Sequence, residues 1–313
     1  MRKIFFDNGI MQKGKPIRLG SLMLDNYVSP LDATVVDKIK ASDCFDIDNE
    51  NCRCDSGGMT DSINAVLVGD ADVALCNDYS GALSLEAAEN GLCYIHPTYG
   101  TVSRYGLVQM APSMDQIGIV CKTPKDGFDV LDIIRGYDDK DGSMYAVEEF
   151  EFHKKNDQGA CNAEIKIGDA DLEYSDVFPQ VMRILSSAEI SASISRYDGI
   201  KFGHRSKSYQ NLKELYKNSR TEMLDVDLKL TAIIGTMVLA QENYAKYYDK
   251  AMRLRRLIRE LPKFNDFDVL RIPNKDVLVS RLCGLPSLTV AGNTYMVGAL
   301  CDDVLKTVGD GLK

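Results

Sequence analysis

Two apolar runs on either side of a tight acidic turn constrain this chain most. Ala65-Val66-Leu67-Val68 passes through Gly69-Asp70-Ala71-Asp72 into Val73-Ala74-Leu75. That spacing predicts a helix end, a turn and a buried strand. Ile117-Gly118-Ile119-Val120-Cys121 predicts a second strand bounded by polar turns. Residues 227–261 carry apolar side chains at helical spacing (Ile234, Met237, Tyr244, Tyr248, Ala251, Leu254 and Ile258), and Pro262 stops the run. Glu242–Lys246 and Asp249–Arg253 fall at i,i+4 with the acid first, the favourable order on a helix. Strands alternating with helices predict an α/β protein.

Composition narrows the class. The chain has 313 residues, 45% hydrophobic and 27% charged, enough to bury a sizeable core as one large domain. No stretch of about 18 apolar residues occurs, and Met1–Phe6 gives way to Asp7-Asn8 too soon for a signal peptide, so a soluble cytoplasmic protein is expected. A net charge of −9 argues against broad, charge-driven adhesion to nucleic acid. The basic cluster Lys250, Arg253, Arg255, Arg256 and Arg259 reads as a solvated helix face, with tRNA phosphate as the alternative. Cys44, Cys52, Cys54, Cys76, Cys93, Cys121, Cys161, Cys283 and Cys301 are scattered and odd in number, which favours reduced thiols. Cys52-Arg53-Cys54 lacks the C-x2-C spacing of zinc knuckles, and His96, His153 and His204 stand far apart. Neither a metal nor another cofactor is expected.

Longer motifs add a resemblance. From Leu92 to Asp126 the chain reads LCYIHPTYGTVSRYGLVQMAPSMDQIGIVCKTPKD. This resembles the segment after the nucleophile in the amidase-signature family, above all the branch containing the A subunit of the glutamyl/aspartyl-tRNA amidotransferase. Residues 7–40 resemble the segment beginning at that family's catalytic lysine. Ser195–Gly203 resembles its SRYDGVRYG, and Cys283-Gly284-Leu285-Pro286 its AGLP turn. The resemblance implies one mixed β-sheet covered by helices on both faces, as one degenerate domain over residues 1–313. It also implies loss of the family's N-terminal helical hairpin and of a lid and wall of the pocket, because the interval from Phe6 to Gly58 is short.

The same resemblance implies that the chemistry is gone. The family hydrolyses amides through a Ser–Ser–Lys relay, in which a neutral lysine takes a proton, by way of a bridging serine, from the nucleophile. Phe6 stands in place of the lysine, Gly58 in place of the bridging serine, and Ala82 in place of the nucleophile. A three-residue shift of register puts Asp55 at the bridge and restores nothing. The oxyanion loop Thr-Gly-Gly becomes Tyr79-Ser80-Gly81, after Asp78. Leu230 and Thr231 replace two arginines, and Asn274 replaces an acidic residue associated with the substrate ammonium. Tyr197 and Asp198 survive, for packing if not for binding.

The expectation is therefore a pseudoenzyme that binds, scaffolds or regulates. By resemblance its partners are the B and C subunits of the amidotransferase or a homologous complex. The alternative is an amidase or glutamine-hydrolysing enzyme, active with partners or through a relocated nucleophile such as Ser56, Cys76, Ser80 or Ser84. A nucleophile without a positioned base is weak.

Overall fold

The computed structural model describes residues 2–17, 19, 21–47, 60–148 and 165–312. Gly58, Ser56, Asp55, Cys52, Cys54, Cys161 and His153 lie outside those residues. The predicted strands form: Val73–Asn77 is β3 and Ile117–Cys121 is β5. They join β1 (Arg2–Phe6), β2 (Phe45–Asp46), β4 (Cys93–His96), β6 (Ile167–Asp169), β7 (Val269–Pro273), β8 (Ser287–Thr289) and β9 (Asn293–Met296). The result is one nine-stranded sheet of order β2-β1-β3-β5-β4-β8-β9-β7-β6. It is mixed, with β2, β1 and β3 parallel, β6 parallel to β7, and the remaining pairs antiparallel.

The central strands are buried on both faces, which is why their sequences are continuous apolar runs. Alternation sorts the side chains into two layers. Val73, Leu75, Ile95, Ile117 and Ile119 face the layer of α1 (Thr34–Ser42) and α4 (Pro124–Ile134), together with Val36, Ile39 and Leu131. Ala74, Cys76, Tyr94 and Val120 face α2 (Thr60–Leu67) and α3 (Ala82–Glu89), against Val66, Leu83 and Ala87. Helix α4 starts where Thr123 accepts the Asp126 N–H and Pro124 follows, a capped start with a preset φ.

A third cluster fills the far end of the sheet. There α5 (Phe178–Ser193) packs Phe178, Met182 and Leu185 with Ile272 and Met296. After α6 (Leu212–Met223), α7 (Val226–Leu239) lies against α5. A Cβ on Gly235 would stand 2.0 Å from the Ser187 carbonyl oxygen, so the two helices touch backbone to backbone at a glycine.

One expectation fails here. Residues 227–261 are not a single helix. Helix α7 ends at Ala240, whose ψ of 141° is extended, and the chain restarts as α8 (Gln241–Tyr244). It then widens into a π-helical turn over Ala245–Asp249 and continues as α9 (Lys250–Ile258). The break resets the helical phase. Met237, expected on the inner face, is 44% exposed, while Gly235 and Val238 are buried in its stead. The second half keeps its pattern, with Ala251 and Ile258 buried and Asp249 paired to Arg253 at 2.8 Å. Lys246, at the π turn, lies over the Tyr247 ring. Helices α10 (Leu278–Cys283) and α11 (Asp302–Gly311) complete the architecture. Among the described residues no helix is long and apolar enough to cross a membrane.

Candidate functional site

The turn between β3 and α3 is built from behind. Asp78 accepts the N–H groups of Leu83 at 3.2 Å and Ser84 at 3.0 Å, satisfying donors in the first turn of α3. Gly81 holds the left-handed conformation at φ 76°, and a Cβ there would press to 3.0 Å from Val277. Arg281, on α10, donates to the same Asp78 carboxylate at 3.1 Å, and both side chains are fully buried. The guanidinium also donates to Ser280 at 2.8 Å and Ser287 at 3.2 Å, and it lies over the Tyr94 ring, 5.3 Å from the centroid. His96 is fully buried within reach of this charge. Burial, and then the Arg281 charge, hold its pKa well below the usual value, so the imidazole is neutral. His96 is thus an enclosed side chain at the end of β4.

In front of the turn lies a cleft of about 390 Å³. Tyr79 and Ser80 form one side and α5 and α7 the others, through Arg183, Ser187, Asp227 and Thr231. The structure therefore brings together Tyr79, Ser80 and Thr231 of the expected pocket, with Asp78 and Gly81 supporting them. Ala82 is the first residue of α3, and its N–H points to Ser80 Oγ at 3.4 Å. Phe6 ends β1 and is packed with Ile4, Ile10 and Val36 in the layer of α1 and α4, so it is part of the core and not of the cleft lining.

Three further positions stand apart from this cleft. Asn274 donates to the Val290 carbonyl at 2.9 Å and accepts from Thr294 at 2.9 Å, bracing β7 against the β8–β9 turn. Tyr197 is buried edge-on to Phe202, and Asp198 accepts the Ile200 N–H at 2.8 Å to shape its own turn. Both behave as packing residues in this structure.

The relocated nucleophiles fare no better on geometry. Ser84 is fully buried and donates to the Gly81 carbonyl at 2.7 Å. Burial, with the charges of Asp7 and Asp78, pushes the Cys76 thiol well above its usual pKa, so it is not a thiolate. Ser80 lines the cleft, but among the described residues neither lysine nor histidine lines it with Ser80. Asp7, one residue past Phe6, is raised to about 6, first by burial and then by the Asp61 charge, against hydrogen bonds from the Asn8 and Asn77 backbone. Among the described residues no group of three or more His, Cys, Asp or Glu side chains could hold a metal ion.

Sequence reasoning missed Arg183, Asp227 and Arg281. Pro179, Arg183, Ser187 and Ile190 recur on one face of α5, a periodicity that marks Arg183 as facing the cleft. No local signal marks Arg281, whose partner is 203 residues away.

The fold is that of an amidase, and the sequence profile of that family matches residues 56–168 and 160–282; this chain belongs to the amidase family. It is similar to the A subunit of glutamyl-tRNA(Gln) amidotransferase from Lachnoclostridium phytofermentans, 29% identical over 89% of this chain and 68% of that protein. Among solved structures, the peptide amidase of Stenotrophomonas maltophilia superposes with a TM-score of 0.72 at 20% identity, covering 98% of this chain and 81% of that one. The A subunit of the Thermotoga maritima glutamyl-tRNA(Gln) amidotransferase gives 0.62 at 22% identity, covering 97% and 81%. The expected mixed sheet with helices on both faces is the nine-stranded sheet of this chain.

Proposed function

We propose that this chain is a non-catalytic relative of the amidotransferase A subunit: one degenerate domain that binds, scaffolds or regulates in the cytoplasm. The observation that carries this reading is Ala82 at the head of α3. The turn that would present a nucleophile is intact and hydrogen-bonded, and it presents a methyl group. Phe6 in the core and Leu230 and Thr231 at the cleft support the same reading, since Phe6 and Leu230 have no group that can move a proton and none of the three carries a charge to pair with a charged substrate.

The relatives are named as subunits of an amidotransferase, so its partners are the other subunits, B and C, or a homologous complex that serves translation. An exposed apolar stripe on α7 suits a binding role. Val226, Leu230, Ile233 and Met237 follow at helical spacing and are 79%, 45%, 67% and 44% exposed.

Two measurements on one sample test the proposal. Tagged protein is purified from its own cells, its co-purifying proteins are identified, and ammonia release from glutamine is assayed with and without the B and C subunits. Recovery of those subunits with no ammonia above background is the expected result. Glutamine-dependent ammonia release that disappears on mutating Ser80 would overturn it and establish a relocated nucleophile.

A further inference from the structure

A second cleft, of about 770 Å³, shares no lining residue with the first and lies between α9 and the loops that carry Tyr99 and Tyr145. Its volume is in the range of small-molecule sites. Three arginines of α9 and its C-terminal end, Arg255, Arg256 and Arg259, line it, although the chain as a whole carries a net charge of −9.

Arg255 is not the solvated side chain that its sequence context suggests. Its Nε donates to the Leu282 carbonyl at 2.9 Å, and its two terminal nitrogens donate to Ser113 Oγ at 3.0 Å and the Ser113 carbonyl at 3.2 Å. Those bonds use three of the five guanidinium N–H groups and fix its orientation. Glu189 reaches it through Ser113, whose hydroxyl and N–H both donate to that carboxylate.

Glu260 also lines the cleft, so its three arginines outnumber its one carboxylate. Arg256 stands 4.0 Å from Glu260, with both side chains mostly exposed, a weak pairing. Among the described residues no carboxylate lies within 4.0 Å of the Arg259 guanidinium. Arg255 and Arg259 are like charges at i,i+4, an arrangement that destabilises a helix unless an anion sits between them. Cys283 contributes no negative charge, because burial pushes its thiol up to about 12 despite both arginines. Beside Ser113, Glu260 and Gly284, the other walls are aromatic and apolar: Tyr145, Met252 and Tyr99, which Arg104 covers at 5.0 Å.

We propose that this cleft binds a nucleotide, with its phosphate on Arg255, Arg256 and Arg259 and its base against the tyrosine wall. Guanidinium forks match phosphate oxygens, and a flat base has a π-face for an aromatic ring. The ligand is a free mononucleotide or the terminal nucleotide of an RNA strand, and the two share this chemistry.

Calorimetric titration of the full chain with AMP, adenosine and inorganic phosphate tests the proposal, alongside fluorescence anisotropy with a labelled tetraribonucleotide. Saturable AMP binding that weakens with salt is expected, with adenosine and phosphate each at least about tenfold weaker. Arg256→Glu with Arg259→Glu, both at exposed positions, abolishes AMP binding while the melting curve is unchanged. Tyr145→Ala weakens AMP by about tenfold and leaves phosphate binding alone. Oligonucleotide binding that AMP displaces assigns the RNA end, and AMP binding alone assigns the free nucleotide. Absence of saturable binding to both ligands overturns the proposal. So does AMP binding that survives the double arginine variant, or a phosphoserine peptide that binds tighter than AMP.

Discussion

Behind α3 and in front of it, the same turn is built in opposite ways. Behind, Asp78 and Arg281 form a fully buried ion pair, with the carboxylate also holding the first turn of the helix. In front, the cleft holds Tyr79, Ser80, Leu230 and Thr231, and the helix opens with Ala82. The difference teaches that the residues holding this turn and the residues it presents are separate sets. A fold persists because its buried charges and apolar layers are interdependent, whereas a nucleophile at the surface of a turn supports nothing else.

The sharpest way to break this contrast is at its back. Arg281→Met leaves the Asp78 carboxylate buried without its counter-charge, and a loss of about 3–5 kcal/mol is expected in urea unfolding. Asp78→Asn combined with Arg281→Met should recover part of that loss. A single variant as stable as the parent would mean that the pair is not what holds the turn.

Next comes the position resembling the family's lysine. Phe6→Lys removes a packed ring and buries an amine, for an expected cost of about 3 kcal/mol or more, read as a lowered melting temperature. Unchanged stability would show room for the amine that the packing does not provide.

Asp7 gives a smaller, pH-dependent effect. Its folded pKa of about 6 lies above the ordinary value of 3.8, so the folded state binds the proton more tightly. The stability this adds is present below pH 3.8 and is lost as the pH rises through 6. Asp7→Asn should therefore gain about 1–3 kcal/mol at about pH 7.5 and nothing at about pH 3.5, measured by denaturant titration at both. A gain equal at both values would place the effect elsewhere.

The smallest expected change is on α7. Ile233→Glu should alter stability by less than about 0.5 kcal/mol while weakening capture of the amidotransferase subunits. Stability loss beyond about 1 kcal/mol would show that the stripe is packed rather than presented.

Much of the sheet is legible in the sequence because β3 and β5 are buried on both faces, which leaves unbroken apolar runs. The break at Ala240 is not. Alanine carries no helix-stopping signal, and the pattern in α9 is regular enough to hide a change of phase upstream. At the site, motif spacing leads to the turn at 78–82 and to Tyr79, Ser80 and Thr231, which share a cleft. It leads equally to Asn274, Tyr197 and Asp198, which lie outside that cleft, because a motif does not say whether its side chains face a pocket or brace a turn. The sequence around Arg255 reads as solvated charge, since its anchors Ser113 and Leu282 are invisible from its own helix.

The ion pair that grips Asp78 also bears on the order of folding. Its two residues are 203 positions apart, and β4 meets β8 across a similar interval, so the turn at the head of α3 is not locked until the end of the chain has arrived. Contacts of such long range slow the approach to the native state. A ribosome-bound chain that has emerged only through β5 would hold an acidic turn still waiting for the arginine that is to receive it.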